Sequence, residues 1–169
     1  MNRVATFRFG RAVVGGLLVA ALVTGCTARP SAPTGTEIVT AREALTLVAQ
    51  AGTVLVDARP AMDYRDGHVQ GAVNVSRADI VVNTPYPNML ADVEQIERVM
   101  SSRGIGNDTL VVVYDDNNNM DSARLWWTLK VYGHHNVKVV SGGLQALRAA
   151  GAVEDAAVVQ VTPARFTAQ

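Results

Sequence analysis

Apolar positions along the chain follow two alternating patterns. Short runs rich in valine lie at residues 37–39, 54–56, 72–75, 110–114 and 137–140. Such runs mark strands buried on both faces, as in a parallel sheet. Between them, apolar residues recur at helical spacing. Ala41, Ala44, Leu45, Val48 and Ala51 share one face, opened by the capping pair Thr40 and Glu43 and stopped at Gly52. Pro60 suits the first turn of a short helix carrying Met62 and Tyr64. Val93, Ile96, Val99 and Met100 predict a helix ending at Gly104. Leu125, Trp126, Leu129, Val131 and Tyr132 predict another, with Asp121 as N-cap and Gly133 as stop. Gly142 and Gly143 open a last helix through Leu144 and Leu147 to Gly151. Residues 67–71 read as a turn, and residues 76–91, with Pro85 and Pro87, as a longer irregular connection. Strands alternating with helices predict one open parallel sheet covered on both faces, without internal repeat or second domain.

The beginning of the chain reads differently. Arg3, Arg8 and Arg11 precede an apolar run over residues 12–23, interrupted by Gly15 and Gly16 and too short to span a bilayer comfortably. It ends in Leu22-Val23-Thr24-Gly25-Cys26, which resembles the bacterial lipobox. The expectation is a lipoprotein signal peptide over 1–25, lipidation of Cys26, and a Pro/Ser/Thr/Gly-rich tether over 26–36. The protein would then sit in the bacterial cell envelope, held to a membrane on its periplasmic or extracellular face. Cys26 is the only cysteine, so a lipidated chain has no thiol for a disulfide, a metal site or a nucleophile. The full chain balances 15 basic against 15 acidic residues. Loss of Arg3, Arg8 and Arg11 leaves the remainder at −3, with no basic run, and nucleic acid is not an expected partner.

Two stretches carry a family likeness. VLVDARPAMDYRDGHVQGAVNV is similar to the first signature of the rhodanese superfamily, a strand ending in Asp-x-Arg and then Gly-His-hydrophobic-x-Gly-Ala. RGIGNDTLVVVYDDNNNMDSARLWWTLKVYGHHNVKVVSGGL resembles the amino-terminal, non-catalytic half of tandem thiosulfate/3-mercaptopyruvate sulfurtransferases, with Val-Tyr-Asp, Ala-Arg-x-Trp-Trp, Gly-His and Gly-Gly-Leu in order. One departure is Leu147, where the family usually has tryptophan. The resemblance implies an α/β, rhodanese-like, open five-stranded parallel sheet with helices on both faces, as a single domain over 37–152. Residues 153–169 resemble the linker leading such proteins into a second, catalytic half, which is missing from this sequence.

The chemistry turns on the loop after residues 110–114. Asp115, Asp116, Asn117, Asn118, Asn119, Met120 and Asp121 supply carboxylates and amides but no thiol, histidine or cation. They stand where a parallel fold places its sites, at a strand's carboxyl end before a helix. The resemblance implies that catalytic relatives carry cysteine at the position of Asp115, its sulfur cradled by backbone N–H groups. A carboxylate cannot become a persulfide, so Asp115 is expected to plug that cradle. Phosphatase-like chemistry on this fold needs an arginine closing the loop, and Met120 takes its place. Asp115, Asn117, Asn119 and Asp121 alternate faintly like a calcium loop, yet Met120 replaces the turn glycine and Trp126 the bidentate glutamate. No metal and no cofactor is expected.

Other side chains have plainer readings. Asp57 and Arg59 at a neighbouring strand end hold an anion or, as favoured, pair with each other. His68 is a turn-fixing hydrogen-bonder rather than a general base. His134 and His135 are expected to be exposed in a turn, Trp126 and Trp127 to pack in the core, and Arg124 to bond a carboxylate in the loop or near Asp57. The resulting expectation is a lipid-anchored rhodanese-like protein without the catalytic cysteine. It would bind a protein partner or a small sulfur anion as a binding or regulatory module. The alternative is a sulfurtransferase of thiosulfate or 3-mercaptopyruvate type acting with a partner that supplies the thiol.

Overall fold

The computed structural model describes residues 37–169. Cys26, the expected signal peptide and the tether therefore lie outside the described residues. The chain enters at β1 (Ile38–Val39) and turns into α1 (Ala41–Val48). The capping pair forms as the sequence predicts: Thr40 Oγ1 accepts from Glu43 N at 3.2 Å, and the Glu43 carboxylate accepts from Thr40 N at 2.8 Å. Next come β2 (Thr53–Asp57), α2 (Ala61–Asp66), β3 (His68–Val69) and β4 (Val73–Asn74). A short α3 (Arg77–Ile80) leads into β5 (Val81–Val82) and β6 (Met89–Leu90), then α4 (Val93–Ser102). The second half runs β7 (Leu110–Tyr114), α5 (Met120–Val131), β8 (Val137–Val140), α6 (Gly143–Ala149) and β9 (Glu154–Asp155).

β1, β8, β7, β2 and β4 form, in that order, a five-stranded sheet in which every pair is parallel. The period-2 alternation of strand side chains divides the core. Val111 and Val113 face one side and pack with Ile80, Ile96, Met100, Leu125 and Leu129 from α3, α4 and α5. Val112 and Tyr114 face the other, with Ala44, Leu144 and Leu147 from α1 and α6. Leu147 is fully buried there, so it fills its place despite being smaller than tryptophan. Pairing Asp57 with Tyr114 in register brings the carboxyl ends of β2 and β7 side by side.

The structure departs from the sequence reading in several places. The expected turn at 67–71 contains β3, which pairs antiparallel with β9. The expected irregular stretch holds α3 and the β5–β6 hairpin. Residues 153–169 pack against the body rather than trailing from it. Phe166 is buried, Ala164 N donates to Ser101 O at 3.0 Å, and Gln169 N donates to Tyr132 O at 3.2 Å. That packing also corrects the reading of His134: it is buried, with its ring 5.8 Å from that of Phe166, whereas His135 is exposed. Finally, α5 begins one residue before Asp121, with Asn119 as N-cap in the left-handed region at φ 63°. Asp121 is not the cap, because another carboxylate does that work.

Candidate functional site

The carboxyl ends of β2, β7, β8 and β4 meet along one edge of the sheet. At its centre lies Asp115, immediately after β7 and buried. Its Oδ1 accepts from the backbone N–H of Asn117 at 3.1 Å and of Asn119 at 2.9 Å. Its Oδ2 accepts from Asp121 N and Ser122 N, both at 2.8 Å. The last two belong to the first turn of α5, whose N–H groups have no partner within the helix. A carboxylate six residues upstream therefore caps the helix and faces the positive end of its dipole.

For the loop to wrap so tightly, Asn118 and Asn119 adopt φ 53° and 63°, a region that asparagine visits more readily than most residues. Asn119 also ties the loop to the next strand, donating through Nδ2 to Val140 O at 2.8 Å and accepting from Gly142 N at 3.3 Å. Leu144 N donates to Asp115 O at 2.7 Å. The paired glycine permits this approach: a Cβ on Gly143, at φ 53°, would lie 2.1 Å from Asp115 O. Asp116 and Asn118 point outward beside a small polar cleft of about 280 Å³. Met120 is exposed, and Asn117 reaches Asp121 through Nδ2 at 3.3 Å.

Asp57 and Arg59 pair with each other. Arg59 Nε donates to Asp57 Oδ1 at 3.0 Å and Nη2 to Oδ2 at 2.7 Å, a bidentate geometry. Tyr114 Oη donates to Asp57 Oδ2 at 2.8 Å, and Arg59 Nη2 also reaches Gly67 O. Burial opposes the guanidinium charge, but the hydrogen bond and charge of Asp57 outweigh it and hold the Arg59 pKa above its ordinary value. Burial, then the Asp57 charge, pushes the Tyr114 hydroxyl up as well. Asn74 at the end of β4 donates to Asp57 O and Arg59 O, each at 2.9 Å. The pair is thus occupied from within; its remaining edge, Arg59 Nη1, lies 3.6 Å from Asp116.

Several predicted residues lie elsewhere or act differently. His68 is buried against Tyr64, ring centroids 3.8 Å apart, with Nδ1 2.8 Å from Tyr64 O and Nε2 3.7 Å from Asp155. Its polar contacts are with α2 and β9. Among the described residues Arg124 bonds no carboxylate: it donates to Asn88 O at 2.8 Å and its guanidinium stacks over Trp127 at 4.9 Å. Trp127 is exposed rather than core, while Trp126 is half-buried and donates to Glu37 at 2.9 Å. Sequence reasoning missed Tyr114, Asn74 and Arg77. Arg77 pairs with Asp121 at 2.7 Å from the far side of the site. The register of β2 against β7 was the signal for Tyr114, because it sets the hydroxyl beside Asp57.

Four carboxylates (Asp57, Asp115, Asp116 and Asp121) thus face two guanidinium groups (Arg59 and Arg77). Between α2 and α3 lies a mostly apolar cleft of about 620 Å³, lined by Ala58, Pro60, Ala78 and Val81 with Arg77 and Asp121 on its rim.

Comparison with known proteins bears on this geometry. The profile of the rhodanese-like domain family matches residues 40–150. A putative thiosulfate sulfurtransferase of Mycolicibacterium smegmatis is 38% identical over 81 residues, covering 47% of this chain and 28% of that protein. The 3-mercaptopyruvate sulfurtransferase of Escherichia coli is 29% identical over 113 residues, covering 66% and 40%. Among solved structures, a 3-mercaptopyruvate sulfotransferase from Escherichia coli superposes with TM-score 0.72 at 26% identity, over 78% of this chain and 55% of that one. The 3-mercaptopyruvate sulfurtransferase from Leishmania major gives 0.66 at 25% identity, over 78% and 39%. The chain spans less than two thirds of the length of each of these relatives.

Proposed function

Because the chain belongs to the rhodanese-like domain family, we propose that this domain keeps the scaffold of a sulfurtransferase and uses it to dock a protein partner. The protein carrying it is lipid-anchored through Cys26 in the bacterial cell envelope, on the strength of the basic leader, the short apolar run and the lipobox-like sequence. Asp115 stands in the seat of the family nucleophile.

One observation carries the reading: the Asp115 carboxylate receives four backbone N–H bonds. Sulfur transfer needs an attacking thiolate that takes up a sulfane sulfur, and donors free to hold the resulting persulfide anion. Here the donors are saturated by a group that cannot take up sulfur. The charge balance argues the same way. Thiosulfate is a dianion: Arg59 and Arg77 are already paired with Asp57 and Asp121, which leaves Asp115 and Asp116 to repel it. A small sulfur anion is therefore a poorer ligand for this face than a protein surface. The apolar cleft beside α3, rimmed by an ion pair, suits a side chain from a partner.

The test is incubation of the purified protein with thiosulfate and cyanide. The expected result is thiocyanate at background level. Turnover that persists through successive purification steps would overturn the docking reading. Activity that emerges only when a co-encoded partner is added would establish the split enzyme, of thiosulfate or 3-mercaptopyruvate type, in its place.

A further inference from the structure

We infer that the outward face of α5, centred on Trp127, rests on the lipid bilayer to which the chain is anchored; this rests on the reading of Cys26 as the lipidation site. Met120, Trp127 and Val131 are exposed by 60%, 44% and 45%. Their spacing places them in one stripe along the helix. Arg124 lies within that stripe, its guanidinium over the Trp127 ring at 4.9 Å. It also donates to Asn88 O at 2.8 Å, which brings the tip of the β5–β6 hairpin alongside, with Tyr86 and Met89 exposed. Asp121, the acidic residue of α5, is neutralised by Arg77 at 2.7 Å. The face therefore combines aromatic and aliphatic surface with a cation and lacks an unpaired acid. That is the composition of surfaces lying at the headgroup level, where indole rings settle and long cations reach the phosphates.

The course of the chain indicates why the bilayer is the occupant. Glu37 is fastened to α5 by two bonds, accepting from Trp126 Nε1 and Lys130 Nζ, each at 2.9 Å. The segment from Cys26 to Thr36 has 11 residues and reaches at most ~40 Å when fully extended. An acyl chain on Cys26 keeps the membrane within that distance of α5, so even weak affinity suffices once the anchor has raised the local concentration. A second copy fits less well. A two-fold dimer centred on this stripe would bury both Arg124 guanidinium groups in an interface whose one α5 acid, Asp121, is already paired with Arg77, whereas lipid phosphates accept that charge.

The experiment uses the full chain, produced in a bacterium that processes lipoproteins. It is reconstituted in phosphatidylethanolamine/phosphatidylglycerol vesicles with or without brominated acyl chains, and tryptophan emission is read. Trp126 and Trp127 are the only indoles, so a parallel Trp127→Phe chain assigns the signal. The expected result is about a twofold loss of the Trp127 component in brominated vesicles, relieved by Val131→Glu. Mass spectrometry of the peptide containing Cys26 reports the anchor separately. Lipidated protein that floats with vesicles but shows no quenching of Trp127 overturns the inference while leaving the anchor intact. Dimerisation abolished by Val131→Glu, without quenching, overturns it in favour of a second copy. Unlipidated protein overturns the anchor, and quenching of Trp127 by added vesicles then upholds the face alone; no quenching there removes both.

Discussion

At the scale of the residue, Asp115 does two jobs that proteins usually give to different groups. Its side chain projects from the end of β7, outside the N-cap position, yet it caps the helix more completely than an N-cap residue can, because it meets two N–H groups of the first turn and two of the loop. Its backbone is pinned in turn, with Leu144 N on its carbonyl and Gly143 leaving room for the approach. Asp115→Ala would leave the buried Ser122 N–H and its neighbours without a partner. The expected loss is about 2–3 kcal/mol of stability in urea or thermal unfolding. A loss below about 0.5 kcal/mol would show that water or a relaxed loop replaces the carboxylate. The contrast with Asp57 is instructive. That carboxylate is buried as well, but it is balanced by a bidentate arginine and a tyrosine hydroxyl, so it fixes the end of β2 without exposing charge.

At the scale of the element, the turn between α5 and β8 depends on the C-terminal segment. Burial pushes the His134 imidazole below its ordinary value of 6.5, helped by the charges of His135 and Lys130 and partly offset by backbone groups of Asn136 and Thr109. The folded chain therefore binds fewer protons here than the unfolded chain. This contribution is fully present above about pH 6.5 and is lost as pH falls from there through the folded value. The melting temperature should fall between pH 7 and pH 5, and less so in His134→Gln, as measured by thermal unfolding of the two proteins. Equal declines in both would contradict the assignment.

The same turn shows where the sequence was readable. Capping at Thr40 and Glu43, the strands of the central sheet and the pairing of Asp57 with Arg59 follow from local pattern, because each uses residues a few positions apart. The burial of His134 does not, because Phe166 covers it from a distant segment. β3 and β9 are two residues each, too short for any alternation to register. The start of α5 was misplaced for a related reason. A cap normally sits next to its helix, and here it arrives from the end of β7. The loop's identity as a cradle was legible through the family likeness, but the partners of Arg124 and the exposure of Trp127 depend on the β5–β6 hairpin and on what α5 leaves uncovered.

At the scale of the whole molecule, a five-stranded parallel sheet gathers the ends of β2, β7, β8 and β4 along one edge and places a helix N-terminus there. There the backbone donors of the loop and of the first turn of α5 converge on one carboxylate, that of Asp115. An acidic rim and an apolar cleft on that face are the features on which the proposed docking of another protein rests. Closure of the cradle to sulfur anions by Asp115 is the core of the proposed function. Its most direct test follows the backbone amide resonances of Asn117, Asn119, Asp121 and Ser122 by NMR while thiosulfate is added to a ¹⁵N-labelled Cys26→Ser chain. These four resonances are expected to stay in place up to ~10 mM thiosulfate. Saturable shifts at these amides below ~1 mM would show an open anion site and contradict that closure.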